Sequence, residues 1–162
     1  MTVIIPTFQL SAATQIGRVA LKVANLEKMT SFYQDVIGLQ VLDQNTSQST
    51  LGVGDTVLLE LHKVQAPLPV TPKTGLYHVA FLLPSRKDLG NALLHYLQVD
   101  APLIGASDHG YSEALYLTDP EGNGIEVYYD KPQSEWDIRA DGEIVGVTLE
   151  MDAEAVIAAG DN

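Results

Sequence analysis

The residues in this chain that could do chemistry are histidines and carboxylates: 162 residues carry 4 His, 21 Asp+Glu and no Cys. The lack of Cys excludes thiolate nucleophiles, disulfide frameworks and Cys-based zinc or iron–sulfur sites. Imidazole and carboxylate remain as metal donors. His78 and Glu126 fall in strand-like runs, Tyr77-His78-Val79-Ala80-Phe81 and Gly124-Ile125-Glu126-Val127-Tyr128. Glu60 lies in a third run, Leu58-Leu59-Glu60-Leu61-His62, and Arg18 in a fourth, Gly17-Arg18-Val19-Ala20-Leu21. A Glu on a buried sheet face needs a metal, a cation or hydrogen-bond donors. Other chemistries lack their signatures. There is no Walker A loop and no Gly-x-Ser-x-Gly elbow, and Gly52-Val53-Gly54 lacks the third Gly and the helix of a dinucleotide fingerprint.

An internal repeat positions these residues. Residues 17–23 and 77–83 share a Val-Ala-apolar centre in a strand-like run. Each leads to a good helix N-cap, Asn25 seven residues after Arg18 and Ser85 seven after His78. Helical spacing follows, through Leu26, Met29, Phe32, Tyr33, Val36 and Ile37 with Gly38 as the stop, and through Leu89, Ala92, Leu93, Tyr96 and Leu97. Asp88 follows Ser85 at capping-box spacing. Short strands are then expected near 39–43, 48–53 and 56–63, and near 101–106, 112–118 and 124–130. Gly54-Asp55 and Asp119-Pro120-Glu121-Gly122-Asn123 supply turns.

The fold class is therefore α+β, with two βαβββ modules at 14–63 and 76–130. Residues 64–75 carry Pro67, Pro69 and Pro72 and read as a linker, and 133–162 read as a tail. Each sheet covers one face with its own helix, so a second module must partner the other face, and the pair makes a half-barrel cup. Strand alternation sends Val19, Leu21, Val23, Val79, Phe81 and Leu83 toward the helices. It sends Arg18, Ala20, Lys22, His78, Ala80 and Leu82 to the cup. Pseudo-symmetry matches Arg18 with His78 and Glu60 with Glu126, four polar residues on one concave surface. Lys22 lies near the sheet end, and His62 and His95 are expected to face solvent.

The charge balance narrows the partners. Nine Lys+Arg against 21 Asp+Glu give a net charge of −12. Such a chain repels phosphate backbones and anionic lipid, so neither nucleic acid nor a membrane is expected as partner. No apolar run approaches the roughly 18 residues that span a bilayer. The opening Met1-Thr2-Val3-Ile4-Ile5-Pro6 lacks a signal-peptide pattern. A cytoplasmic location is expected. A chain of this length buries roughly 70% of its unfolded surface, so it folds without staples.

The Phe32-Tyr33-Gln34-Asp35-Val36-Ile37-Gly38-Leu39 stretch, with Asp-Pro-Glu-Gly-Asn-Gly-Ile-Glu ending at Glu126, resembles the vicinal-oxygen-chelate superfamily. That superfamily comprises glyoxalases, bleomycin-resistance proteins and extradiol dioxygenases. The likeness covers about residues 14–132. Gly75 to Arg86 and Asp108 to Tyr116 look most like the N-terminal half of two-domain catechol 2,3-dioxygenase-like proteins. Those proteins are about twice this length, so the tail reads as the start of a connection to a second domain.

The resemblance implies a glyoxalase/dioxygenase-like fold and a divalent-metal enzyme acting on a small catechol-like substrate. It implies His78 and Glu126 as metal ligands, with Fe(II) or Mn(II) as the leading metals and Zn or Ni as alternatives. Tyr116 matches a tyrosine beside the metal in ring-cleaving dioxygenases, and His109 lies near a pocket histidine; both are catalytic candidates. The family's first ligand falls at Arg18, which does not ligate metal. Glu60 could complete the site or pair with Arg18, a second subunit or a missing C-terminal half could supply the ligand, or the metal is absent. A homodimer is expected if the chain stands alone. The alternatives are a glyoxalase-like lyase or isomerase with Glu126 as base, and a metal-free binder of the bleomycin-resistance type, with Arg18 lining its pocket.

Overall fold

The structure is a computed structural model that describes residues 10–66 and 75–161. Pro67, Pro69 and Pro72 of the expected linker, and the opening Met1–Pro6, lie outside the described residues. The first module runs β1 (Val19–Val23), α1 (Leu26–Asp35), β2 (Gln40–Gln44), β3 (Gln48–Val53) and β4 (Thr56–Lys63). The second runs β5 (His78–Leu82), α2 (Arg86–Gln98), β6 (Leu103–Asp108), β7 (Ser112–Thr118) and β8 (Gly124–Asp130). Beyond it come β9 (Leu149–Glu150) and α3 (Ala153–Ala158).

One sheet has the order β1-β4-β3-β2 and the other β5-β8-β7-β6-β9, and together they form the expected cup. In each module the first strand runs parallel to the last, and the other pairings are antiparallel. Equivalent positions therefore fall in register: Ala20 opposite Glu60 in one sheet, Ala80 opposite Glu126 in the other.

Alternation places the apolar set as its spacing predicts. Leu21, Val23, Leu59 and Leu61 are buried under α1, whose Met29, Phe32 and Tyr33 face them. Val79, Ile125, Val127, Leu115 and Leu117 are buried with Leu89, Leu93 and Tyr96 of α2. Asn25 and Ser85 cap their helices, accepting from the amides of Lys28 and Asp88. Asp88 departs from a capping box: its carboxylate receives the Ser85 hydroxyl rather than reaching the cap's own amide. The strand expected at 101–106 begins instead at Leu103, because the chain leaves α2 through Asp100 at φ 53° with the Ala101 amide bonded to the Tyr96 carbonyl.

The Asp119–Asn123 turn ties the modules together. Asp119 is buried and accepts from the Glu121 and Asn123 amides, and Gly122 supplies the positive φ of 85°. The Tyr33 hydroxyl of α1 donates to Asp119 Oδ2 at 3.0 Å, and Asn123 Nδ2 donates to the same oxygen at 2.7 Å. Burial and the neighbouring Asp119 raise the Tyr33 pKa far above the usual phenol range, so it stays a donor. The Glu121 carboxylate accepts the Ala24 and Asn25 amides just before α1. Free amides at a helix start favour an anion, so one turn of the second module braces the first module's helix.

The segment read from sequence as a connection is packed onto the second module. β9 pairs with β6, placing Glu150 opposite Ser107 and Leu149 opposite Asp108. Met151 and Val156 are buried in the shared core. α3 lies so close to α2 that a Cβ on Gly90 would stand 2.3 Å from the Val156 carbonyl oxygen. Arg86 binds the buried Glu113 through two nitrogens, at 2.7 and 3.0 Å, and donates a third bond to the Ala155 carbonyl. No helix among the described residues is long and apolar enough to cross a membrane.

Candidate functional site

The concave face of the second sheet carries an unbroken polar chain. His78, at the start of β5, places Nε2 2.8 Å from Glu126 Oε2 on β8. The Tyr116 hydroxyl of β7, directly across the ladder from Glu126, donates to Glu126 Oε1 at 2.9 Å. His109, in the loop after β6, brings Nε2 to 2.8 Å from the same hydroxyl. Its Nδ1 lies 2.8 Å from the Val147 carbonyl. Gly124 makes this geometry accessible, because a Cβ there would stand 2.4 Å from the Tyr77 carbonyl and push β5 off β8.

The chain is half-sheltered. The His78 and Glu126 side chains are 27% and 15% exposed, so both are partly sheltered and remain accessible. Burial, reinforced by Glu126, raises the Tyr116 pKa well above that of a free phenol. Tyr116 is thus a fixed hydrogen-bond donor at neutral pH. Tyr128, two residues past Glu126, is raised for the same leading reason. Beside His109, burial pushes Asp108 up, but hydrogen bonds from Lys131 and the Gly110 amide more than offset it and hold the carboxyl low.

The matching face of the first sheet is built differently. Arg18 Nε contacts Glu60 Oε1 at 2.7 Å, and His62 Nε2 lies 3.3 Å from Glu60 Oε2. Arg18 is 59% exposed, so this is a surface-edge ion pair rather than a buried charge. His62, expected toward solvent, is 41% exposed and also lies beside the second Glu60 oxygen. His95, also expected toward solvent, meets the Asp35 carbonyl at 3.0 Å. Lys22 is exposed, and Thr50 takes the ladder position across from Glu60 that Tyr116 holds across from Glu126.

His78, Glu126, Tyr116 and His109 are thus brought together, whereas Glu60 stays with Arg18 and His62. Neutral imidazole and carboxylate are the donor types that hold divalent metals. Two donors 2.8 Å apart suit neighbouring positions on an ion whose ligand bonds are about 2.1 Å. Among the described residues no third His, Asp or Glu joins them. Sequence reasoning missed the tail's contact with His109, although Asp152 before the run Ala153-Glu154-Ala155-Val156-Ile157-Ala158 was a legible helix start.

The model of the Glyoxalase/Bleomycin resistance protein/Dioxygenase superfamily matches residues 15–127. Catechol-2,3-dioxygenase of Bacillus subtilis (strain 168) is 43% identical over 152 residues, which are 91% of this chain and 53% of that protein. Biphenyl-2,3-diol 1,2-dioxygenase 3 of Rhodococcus globerulus is 31% identical over 132 residues, 75% of this chain and 66% of that protein. The chain therefore spans one half to two thirds of the length of these relatives. A glyoxalase/dioxygenase crystal structure from Nostoc punctiforme superposes with a TM-score of 0.60 at 19% identity, covering 78% of this chain and 99% of its own. This chain belongs to the Glyoxalase/Bleomycin resistance protein/Dioxygenase superfamily.

Proposed function

We propose that the chain forms a divalent-metal-dependent, dioxygenase-like site for a small catechol-like substrate in the cytoplasm. The carrying observation is the continuous polar chain from His78 through Glu126 and Tyr116 to His109 on one concave face. His78 Nε2 and Glu126 would hold the ion, with Fe(II) or Mn(II) the metals that suit a mixed nitrogen–oxygen set open to two substrate oxygens. A bound divalent ion lowers the pKa of chelated hydroxyls and polarises the oxygens it binds. Tyr116, kept protonated by its raised pKa, donates to Glu126 and orients the carboxylate. His109 Nε2, 2.8 Å from that hydroxyl, takes up or returns the proton that a catechol sheds on binding.

Two donors hold a divalent ion weakly, so a third is needed. A second copy of the chain or a further pair of modules would supply it. The 53% span of the Bacillus catechol-2,3-dioxygenase favours further modules. A second reading, a metal-free binder of small aromatics, draws on the first module: Arg18 occupies the position of a ligand and neutralises Glu60.

Anaerobic loading with Fe(II) or Mn(II), followed by metal analysis and addition of catechol in air, separates the two. The enzyme reading expects bound metal and a coloured ring-cleavage product. Marginal metal uptake with tight binding of catechol would replace it with the binder.

A further inference from the structure

We propose that the tail from Val145 to Asp161 is a positioning element of the site, and that its Val147 carbonyl fixes His109 in the tautomer that presents a bare Nε2 to Tyr116. The contact is reciprocal: the Val147 amide donates to the His109 carbonyl at 3.2 Å while His109 Nδ1 reaches the Val147 carbonyl at 2.8 Å. A carbonyl oxygen only accepts, so Nδ1 carries the proton of the neutral ring. Nε2, 2.8 Å from the Tyr116 hydroxyl, is then an acceptor.

That assignment decides what the chain can do. Tyr116 has one hydroxyl proton and two acceptors, Glu126 Oε1 at 2.9 Å and His109 Nε2. It satisfies one and leaves the other wanting. One added proton on Nε2 completes every bond: Nε2–H donates to the tyrosine oxygen, and the tyrosine donates to Glu126. With the opposite tautomer the neutral ring would already donate from Nε2, and nothing between His109 and Glu126 would call for a proton. The Val147 carbonyl therefore turns His109 into a base that faces the cup.

The tail is held firmly enough for this. β9 extends the sheet beside Ser107 and Asp108, immediately before His109. Gly146 lies under Tyr111, where a Cβ would stand 3.3 Å from the ring, and Trp136 meets the same ring edge-on. Val156 and Met151 are buried, and Arg86 and Asn91 of α2 bond to Ala155 and Asp161.

The use of the base rests on the function proposed above, but the tautomer does not, so its test needs neither metal nor substrate. Nitrogen-15 NMR of the His109 ring, recorded on the metal-free chain with the ring neutral, is expected to show a protonated Nδ1 and a bare Nε2; the reverse would overturn the proposal. Tyr116→Phe is expected to keep that tautomer, because Val147 sets it; a switch to protonated Nε2 would assign control to Tyr116 instead. Gly90→Val, on the far side of α2, drives α3 off the helix and is expected to release the tail and lose the Nδ1–H signature. A retained signature, with α3 amides shown by exchange to be unprotected, refutes the tail's role. Loss of metal binding or ring cleavage in any of these samples would bear on the proposed reaction and leave the tautomer result standing.

Discussion

The two modules share a topology, a register and a helix cap, yet they present opposite chemistry to the same cup. Both put an Ala on the first strand opposite a Glu on the last. In the first module the neighbours are Arg18 and Thr50, and the Glu is satisfied by a cation at the sheet edge. In the second they are His78 and Tyr116, and the Glu joins a donor chain that runs on to His109. A change of two side chains at equivalent positions therefore separates an ion pair with an exposed Arg from a His–Glu–Tyr–His chain. The scaffold supplies only the convergence; the residue types decide which partners the Glu meets.

The largest break in that contrast is His78→Ala. It removes one of the two donors and is expected to abolish divalent-metal binding, measured by titration calorimetry under anaerobic conditions, while the fold survives because His78 is at a partly exposed strand start. Unchanged occupancy would move the metal elsewhere. Next in size is Tyr116→Phe, which keeps the ring and deletes the hydroxyl. Turnover of a metal-loaded enzyme should fall about a hundredfold, with a much smaller change in metal affinity. An equal loss in both would mean that Tyr116 only shapes the ligand set.

The strands and their faces were legible because a period of two repeated in both halves: Val19, Leu21, Val23 and Val79, Phe81 recur at matched positions, and each has Gly or a turn before it. His78, Glu126 and Tyr116 were legible because they sit on strands, where register converts sequence spacing into distance. His109 could be placed only near the pocket, because it sits in a loop whose direction depends on contacts with Val147, 38 residues away. The tail was harder still. Its burial rests on helix-to-helix contact at Gly90 and Gly160, and a glycine in sequence does not say which backbone comes close. The Asp119 turn was read for its shape, whereas its larger role is to accept the Tyr33 hydroxyl from the other module, a partner no local pattern reveals.

That turn gives the comparison its structural counterpart. Asp119→Ala leaves the fully buried Tyr33 hydroxyl without its acceptor. An orphaned buried donor and lost turn bonds cost about 2 kcal/mol, and for a chain of this size the thermal midpoint should drop by about 6 °C. Asp55→Ala, in the first module's exposed Gly54-Asp55 turn, should shift it by less than about 2 °C, because ordinary surface substitutions cost under about 0.5 kcal/mol. Equal shifts would mean that the joint between modules is not where stability is concentrated.

A small effect is also expected at Arg18. Its guanidinium is more than half exposed, so the pair with Glu60 is screened by water, and Arg18→Met should change stability by less than about 1 kcal/mol. His62 remains beside Glu60 to share the carboxylate, which limits the loss further. Divalent-metal affinity at His78 and Glu126 should also stay within about twofold, well under the tenfold that 1.4 kcal/mol would produce, because Glu60 shares no contact with either. A clear gain in affinity would carry a different meaning. Freed from Arg18, Glu60 would have become a donor to the same ion, and the two faces would then be two halves of one site whose metal Arg18 holds in check.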